Sequence, residues 1–179
     1  MSVRDTRRQA ALERMADHVL AAGLRGASLR PLAQAAGTSN RMLLYYFSNK
    51  DELLAAVIAH IAARLIKVLN ASWPAAKPVP YEKLLKGIFQ AMQGPEMKPY
   101  MQLWLELTAI ASRGEEPILT VAGQIADGFL AWAAERLTVP TEAASFFVTM
   151  EGLLVLNSVG RGSLAASALK VKSTPKQQR

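Results

Sequence analysis

Residues 28–47 carry side chains whose types and spacing suit contact with nucleic acid. Two short helical patterns flank Gly37-Thr38-Ser39: one has Leu29, Leu32, Ala33 and Ala36 on a single face, and the other runs from about Asn40 to Phe47. Two short helices that cross steeply need small residues where they touch, which Ala33 and Ala36 supply. They also need a residue tolerant of positive φ just past the first helix, which Gly37 supplies. Leu32 and Leu43 then anchor the pair inward, and Asn40, Arg41 and Met42 face outward at the start of the second helix. A helix presented this way fits the major groove, where asparagine pairs with adenine N6/N7 and arginine with guanine O6/N7. Ser39, Tyr45, Tyr46 and Lys50 flank it as phosphate donors, joined by Ser28 and Arg30 from the preceding helix. The chemistry expected is the binding of double-stranded DNA. Spacing alone also fits an ordinary pair of short helices in a bundle.

The charge distribution bears on that choice. The chain of 179 residues has a formal net charge of +7, yet residues 1–50 hold eight Lys/Arg against three acids, a net of +5. Residues 161–179 carry a further +5 with no acid, so residues 51–160 carry −3. A basic head on an acidic body suggests a polyanion that meets the first third of the chain. A solvated charged surface is the plainer alternative.

Several classes find no support in the sequence. With no cysteine and two histidines, His18 and His60, there is no disulfide framework, thiolate metal site or His-rich centre. No metal and no cofactor is expected. The N-terminus has no apolar stretch behind its charges, and the two most apolar runs are interrupted by Asp127 and Glu151, so neither a secretory signal nor a membrane span is expected. The expectation is a soluble cytoplasmic protein. Gly160-Arg161-Gly162-Ser163-Leu164-Ala165 matches a dinucleotide-binding pattern by letter only, because no strand precedes it. No GxSxG or nucleophile–base pattern occurs, and the residues three before His18 and His60 are Met15 and Val57 rather than glutamates. There are no candidate catalytic residues, and the chain is read as not an enzyme. The alternative kept is a nonspecific nucleic-acid-binding helical protein that uses its basic tail as well as its head, with steep salt dependence and no preferred sequence.

The elements that must position the DNA-facing residues are helices throughout, so the fold class is all-α. Leu12, Met15, Ala16, Val19 and Leu20 recur at helical spacing and predict a first helix over about residues 6–21, closed by Gly23 and Gly26. Ser28 is the expected N-cap of the next, with Pro31 in its first turn. Asn49 followed by Glu52 forms a variant capping box that opens a long fourth helix with Leu54, Val57, Ile58, Ile61, Leu65 and Val68 on its face. Residues 71–80 hold three prolines and are read as a connection. Four further helical patterns follow, the last two over about 117–137 and 141–159. The domains expected are a three-helix helix-turn-helix domain at 1–50, a helical regulatory and dimerisation domain at 51–162, and a disordered basic tail at 163–179.

The run from Ser28 to Leu54 resembles the DNA-binding domain of TetR-family transcriptional regulators. Its matches to the family pattern fall at Ser28, Ala33, Ala36, Gly37, Ser39, Leu43, Tyr45, Phe47, Lys50, Leu53 and Leu54, and the first helix extends the resemblance to about residues 6–69. Three departures are Arg41 where a small residue is usual, Leu44 where the first tyrosine is usual, and Tyr46 where histidine is common. One phosphate-reaching hydroxyl is therefore missing or moved to Tyr45 and Tyr46.

The resemblance implies a homodimer joined through the last two helices, a C-terminal domain that binds a small-molecule effector, and repression of a promoter through a palindromic operator. Phe129, Phe147, Gly152 and Leu154 are the candidate dimer residues, and Gly128 and Gly152 would allow close helix approach. Phe89, Met92, Met101, Trp104 and Trp132, with Met97, are the candidate pocket residues, large and adaptable groups suited to a mostly apolar ligand. Glu106, His60 and Asn157 are the polar groups considered for orienting it. Without the resemblance, the last two helices read as core, and each apolar pocket candidate reads more readily as ordinary core than as pocket lining.

Overall fold

In the computed structural model, which describes residues 3–171, nine α-helices follow one another along the described chain. They are α1 (Val3–Ala22), α2 (Leu29–Ala36), α3 (Asn40–Tyr46), α4 (Lys50–Ser72), α5 (Tyr81–Met92), α6 (Lys98–Ala111), α7 (Ile118–Arg136), α8 (Ala143–Ser158) and α9 (Gly162–Val171). Short 3₁₀ turns at Leu24–Gly26 and Pro140–Glu142 lead into α2 and α8. The all-α class expected from periodicity is the class observed. Among the described residues the only pairing of strand type is an isolated bridge, in which the Val79 N–H donates to the Arg136 carbonyl at 2.8 Å and the Thr138 N–H to the Val79 carbonyl at 3.1 Å. No helix of the described residues is long and apolar enough to cross a membrane.

The chain divides into two compact units: Met1–Val68 with Pro99–Ala126, and Leu69–Lys98 with Asp127–Arg179. In the first, α1 buries Leu12, Met15, Ala16 and Val19, α2 buries Leu32, Ala33 and Ala36, α3 buries Leu43, and α4 buries Leu53, Val57, Ile58 and Ile61. Full burial of each large side chain contributes roughly 1.5–3 kcal/mol. Leu103 and Leu107 of α6, with Ile118 and Val121 of α7, join the same core. For that reason the division by packing departs from the break expected at residue 50.

In the second unit, Leu84, Leu85, Ile88 and Phe89 of α5 are buried, as are Phe146, Met150, Leu153 and Leu154 of α8. The Phe129 ring stacks on Trp132 (centroids 5.3 Å apart) and lies against Phe146 and Phe147. The Tyr81 hydroxyl donates to Thr149 Oγ1 at 3.0 Å. Arg136 is buried here, with Nε donating to the Trp73 carbonyl, Nη1 to the Trp132 carbonyl and Nη2 to Asn70 Oδ1.

Residues 163–171 correct the expected disordered tail. They belong to α9, which buries Ala165. Small residues with alanine among them propagate a helix well once a neighbour shields one face. Residues 172–179 lie outside the described residues.

Candidate nucleic-acid interface

The two short helices form because both ends of the link between them are satisfied. Gly37 closes α2 in the left-handed conformation, φ 68° and ψ 37°, and the Thr38 N–H returns to the Ala33 carbonyl at 2.9 Å, a Schellman closure. Two residues later Ser39 is extended, and its Oγ accepts the Met42 N–H at 3.2 Å as the N-cap of α3. The expected N-cap of α2, Ser28, has the extended backbone of a cap but makes no side-chain cap bond. Its exposed hydroxyl is thus not engaged at the helix start.

Burial then sorts α3 by face. Leu43 is fully buried and so is Phe47 just after the helix, while Asn40, Arg41, Met42, Leu44 and Tyr45 are exposed. Ser28 and Arg30 at the start of α2, and Lys50 at the start of α4, are exposed as well. Eight of the nine expected contact residues are therefore on the surface of the same unit. Tyr46 is the exception: it is half-buried against the core, and its ring meets the edge of Tyr45 at 5.7 Å. Tyr45, 60% exposed, presents the freer hydroxyl. Ser39 uses an oxygen lone pair as a cap, which leaves its O–H able to donate to an anion.

The structure adds arginines of α1 that spacing within residues 28–50 could not reveal. Arg4 Nη2 donates to the Tyr45 carbonyl at 3.3 Å, and its guanidinium lies 4.9 Å from the centre of the Tyr45 ring. Arg8 covers Phe47 at 4.5 Å, and Arg14 Nη1 donates to the Ala36 carbonyl at 3.4 Å. Cations from one helix thus sit at the C-terminal ends of both α2 and α3, where the helix dipoles favour positive charge. The capping box at α4 is also modified. The Glu52 N–H donates to Asn49 Oδ1 at 2.8 Å as expected, but the Glu52 carboxylate takes the Ser48 N–H, also at 2.8 Å, rather than that of Asn49. The Ser48 hydroxyl, then its N–H, holds the Glu52 carboxyl below the usual carboxylate range, with help from the charge of Arg8.

Residues 11–57 match the family model of bacterial regulatory proteins, tetR family. Over those residues the chain is similar to the DNA-binding domain of that family. The chain is 32% identical over 111 residues to the HTH-type transcriptional regulator BetI of Paraburkholderia phytofirmans, covering 59% of this chain and 57% of that one. It is 35% identical over 89 residues to BetI of Paraburkholderia xenovorans, covering 47% of this chain and 46% of that one. The chain spans about half the length of these curated relatives. Among solved structures, the multidrug binding protein EbrR complexed with proflavin matches with a TM-score of 0.68 at 24% identity, over 92% of this chain and 96% of that one. A TetR-family transcriptional regulator from Cytophaga hutchinsonii matches with a TM-score of 0.71 at 18% identity, over 96% and 93%. At those identities the structural likeness speaks for the fold alone.

The remaining expected sites are distributed as follows. Of the pocket candidates, Phe89, Met92 and Trp132 belong to the second unit, and Met101 and Trp104 to the first. Trp104 packs on the first unit's core, and Trp132 is buried with its Nε1–H donated to Asn70 Oδ1 at 2.9 Å. Met97 is buried too. Of the dimer candidates, Gly152 is exposed, with open space where a Cβ would stand, and Phe129 and Phe147 are half-buried. Leu154 is corrected: it is buried within its own chain, and the large apolar residues exposed there are Val148 and Val155 of α8 and Val159 just after it. Glu106 and His60 also have partners other than a ligand. Glu106 accepts the Leu24 N–H, while His60 Nε2 lies 3.0 Å from Glu13 Oε1 and its Nδ1 3.4 Å from Gln9 Nε2.

Proposed function

We propose that this chain is a sequence-specific DNA-binding transcriptional regulator, a ligand-responsive repressor that acts in the cytoplasm as a homodimer on a palindromic operator. The observation that carries the reading is the sorting of α3, whose Leu43 is fully buried while Asn40, Arg41 and Tyr45 stand exposed. Placed in the major groove, Asn40 and Arg41 read base edges, and Ser28, Arg30, Ser39, Tyr45 and Lys50 take phosphates. Met42 offers its thioether to the groove floor, where thymine methyls lie.

The homodimer is supported by the stripe Val148, Gly152 and Val155 of α8 with Val159 just beyond it, which recurs at helical spacing and is exposed among the described residues. Effector binding is supported by the family and by the solved relative that holds proflavin. An effector relieves repression only if it binds more tightly to the form that does not hold the operator.

The test is selection of randomised duplex DNA by the purified protein at physiological salt. An enriched inverted repeat is expected, and its half-site spacing measures the distance between recognition helices. Binding without sequence enrichment, lost as salt rises, would overturn the reading in favour of a nonspecific basic surface.

A further inference from the structure

Glu106 lies on α6, yet its carboxylate serves the corner between α1 and α2. Oε2 accepts the Leu24 N–H at 2.7 Å, across 82 residues of sequence. The approach is close enough to dictate the residue next door. A Cβ on Gly23 would stand 2.6 Å from Glu106 Oε1 and 2.9 Å from Oε2, and Gly23 has φ +70°. A side chain at residue 23 would strain the backbone and displace the carboxylate together. The same corner is gripped from α1, where His18 Nε2 lies 3.2 Å from the Gly26 carbonyl and donates to it through its N–H.

Burial separates this contact from core building. Glu106 is exposed, and α6 already joins the core through Leu103 and Leu107. A short, charge-assisted bond to a backbone N–H fixes geometry. The backbone it fixes is the turn Leu24–Gly26, which leads directly into α2 at Leu29 and hence, through the tight Gly37 link, to α3. We infer that Glu106 is a positioning residue for DNA reading: by holding the α1–α2 corner it sets the attitude of the two short helices. This rests on the DNA-binding reading above.

The experiment uses the full chain and the duplex enriched by the wild type, with a scrambled duplex as control. Operator and scrambled affinities are measured by fluorescence anisotropy and melting by circular dichroism, for the wild type, Glu106→Ala, Glu106→Gln and Gly23→Ala. Glu106→Ala is expected to weaken operator binding about tenfold, with scrambled binding unchanged and little shift in melting. Gly23→Ala is expected to weaken operator binding as much and also to lower melting, because a side chain at φ +70° is strained. Glu106→Gln keeps an acceptor oxygen and recovers most of the operator affinity. Operator binding by Glu106→Ala equal to wild type would overturn the inference. So would equal losses on both duplexes with a lowered melting temperature, which would make the bond merely structural. A wild type that enriches no sequence would instead bring down the DNA-reading proposal beneath it.

Discussion

Arg4 holds Tyr45 at two points. Its Nη2 donates to the Tyr45 carbonyl at 3.3 Å, and its guanidinium faces the same residue's ring at 4.9 Å. The first contact satisfies an end-of-helix carbonyl of α3, and the second leaves the phenol hydroxyl free at an exposed position. The proposed phosphate donor is thus oriented from a helix that residues 28–50 do not include. An exposed cation–π contact contributes about 0.5–1 kcal/mol. Arg4→Ala is therefore expected to weaken operator binding roughly two- to fivefold. Titration of the operator duplex with wild type and variant decides it, and unchanged affinity would mean that Tyr45 needs no such support.

Base reading and phosphate contact separate by their response to sequence and salt. Asn40→Ala or Arg41→Ala should each cost roughly 1–3 kcal/mol on the operator and relax the preference at one base pair. Lys50→Ala should weaken all duplexes alike and reduce the slope of log affinity against log salt by about one. Salt titrations on operator and scrambled DNA distinguish the two classes. If Arg41→Ala lowers both equally, Arg41 is a phosphate contact and Asn40 reads alone.

The Glu52 carboxyl is held below its unfolded value of 4.5 by the Ser48 hydroxyl and N–H. A group whose pKa falls on folding contributes stability that is present above the unfolded pKa and is lost as pH falls through the folded one. The stability difference between wild type and Glu52→Gln should therefore be constant near neutral pH and shrink below about pH 4.5. Urea titrations between pH 3 and 7 (about one-unit steps) measure this. A difference that stays flat to the lowest pH would show that the carboxylate gains nothing from Ser48.

These contacts mark how far the sequence could be read. The helix-turn-helix was legible because its determinants are local: Ala33, Ala36, Gly37 and Leu43 all act within a dozen residues. The capping box at Asn49 was legible for the same reason, but its return bond went to Ser48, one residue earlier, a choice of rotamer that letters do not encode. Leu154 was misplaced because α8 is apolar on nearly every side, and a period with no polar face does not say which side turns inward. Glu106, considered only for orienting a ligand, and Arg136, not considered, were misjudged for a different reason. Their partners, Leu24 and the pair Asn70 and Trp73, lie 82, 66 and 63 residues away, and nothing in either neighbourhood signals the other. The helix α9 was passed over because small and basic residues read as solvated when their packing partner is unknown.

Arg136 makes a prediction about stability rather than DNA. Its guanidinium is buried, donates to Asn70 Oδ1 at 2.6 Å and to the Trp73 carbonyl at 2.8 Å, and covers the Trp132 ring at 4.6 Å. A buried acceptor that loses its donor costs about 1–3 kcal/mol, but the Trp73 carbonyl is part-buried and Asn70 Oδ1 keeps the Trp132 Nε1–H. Arg136→Met fills much of the volume but donates nothing, so a loss of roughly 1–2 kcal/mol in urea denaturation is expected. Glu135 pairs with Arg136 at 2.9 Å but is 65% exposed, and Glu135→Gln should change stability by less than about 1 kcal/mol. Equal effects of the two substitutions would place the ion pair, not the buried hydrogen bonds, in charge.

The exposed stripe of α8 gives the sharpest test of assembly. Val148, Val155 and Val159 are 72%, 49% and 64% exposed, and Gly152 between them has no atom within 4 Å of a Cβ placed on it. Among the described residues an arginine side chain at 152 therefore starts into open space, and replacing glycine in a helix interior raises helix propensity by up to about 1 kcal/mol. Against a second copy, the same arginine would hold the two helices apart. Gly152→Arg should melt no lower than the isolated protomer, sediment as a monomer at micromolar concentration where the wild type is a dimer, and lose operator affinity steeply, because a palindrome is then read one half-site at a time. Analytical ultracentrifugation checks the first step directly. A wild type that sediments as a monomer would remove the dimer, and a variant that still pairs would move the interface away from this face of α8.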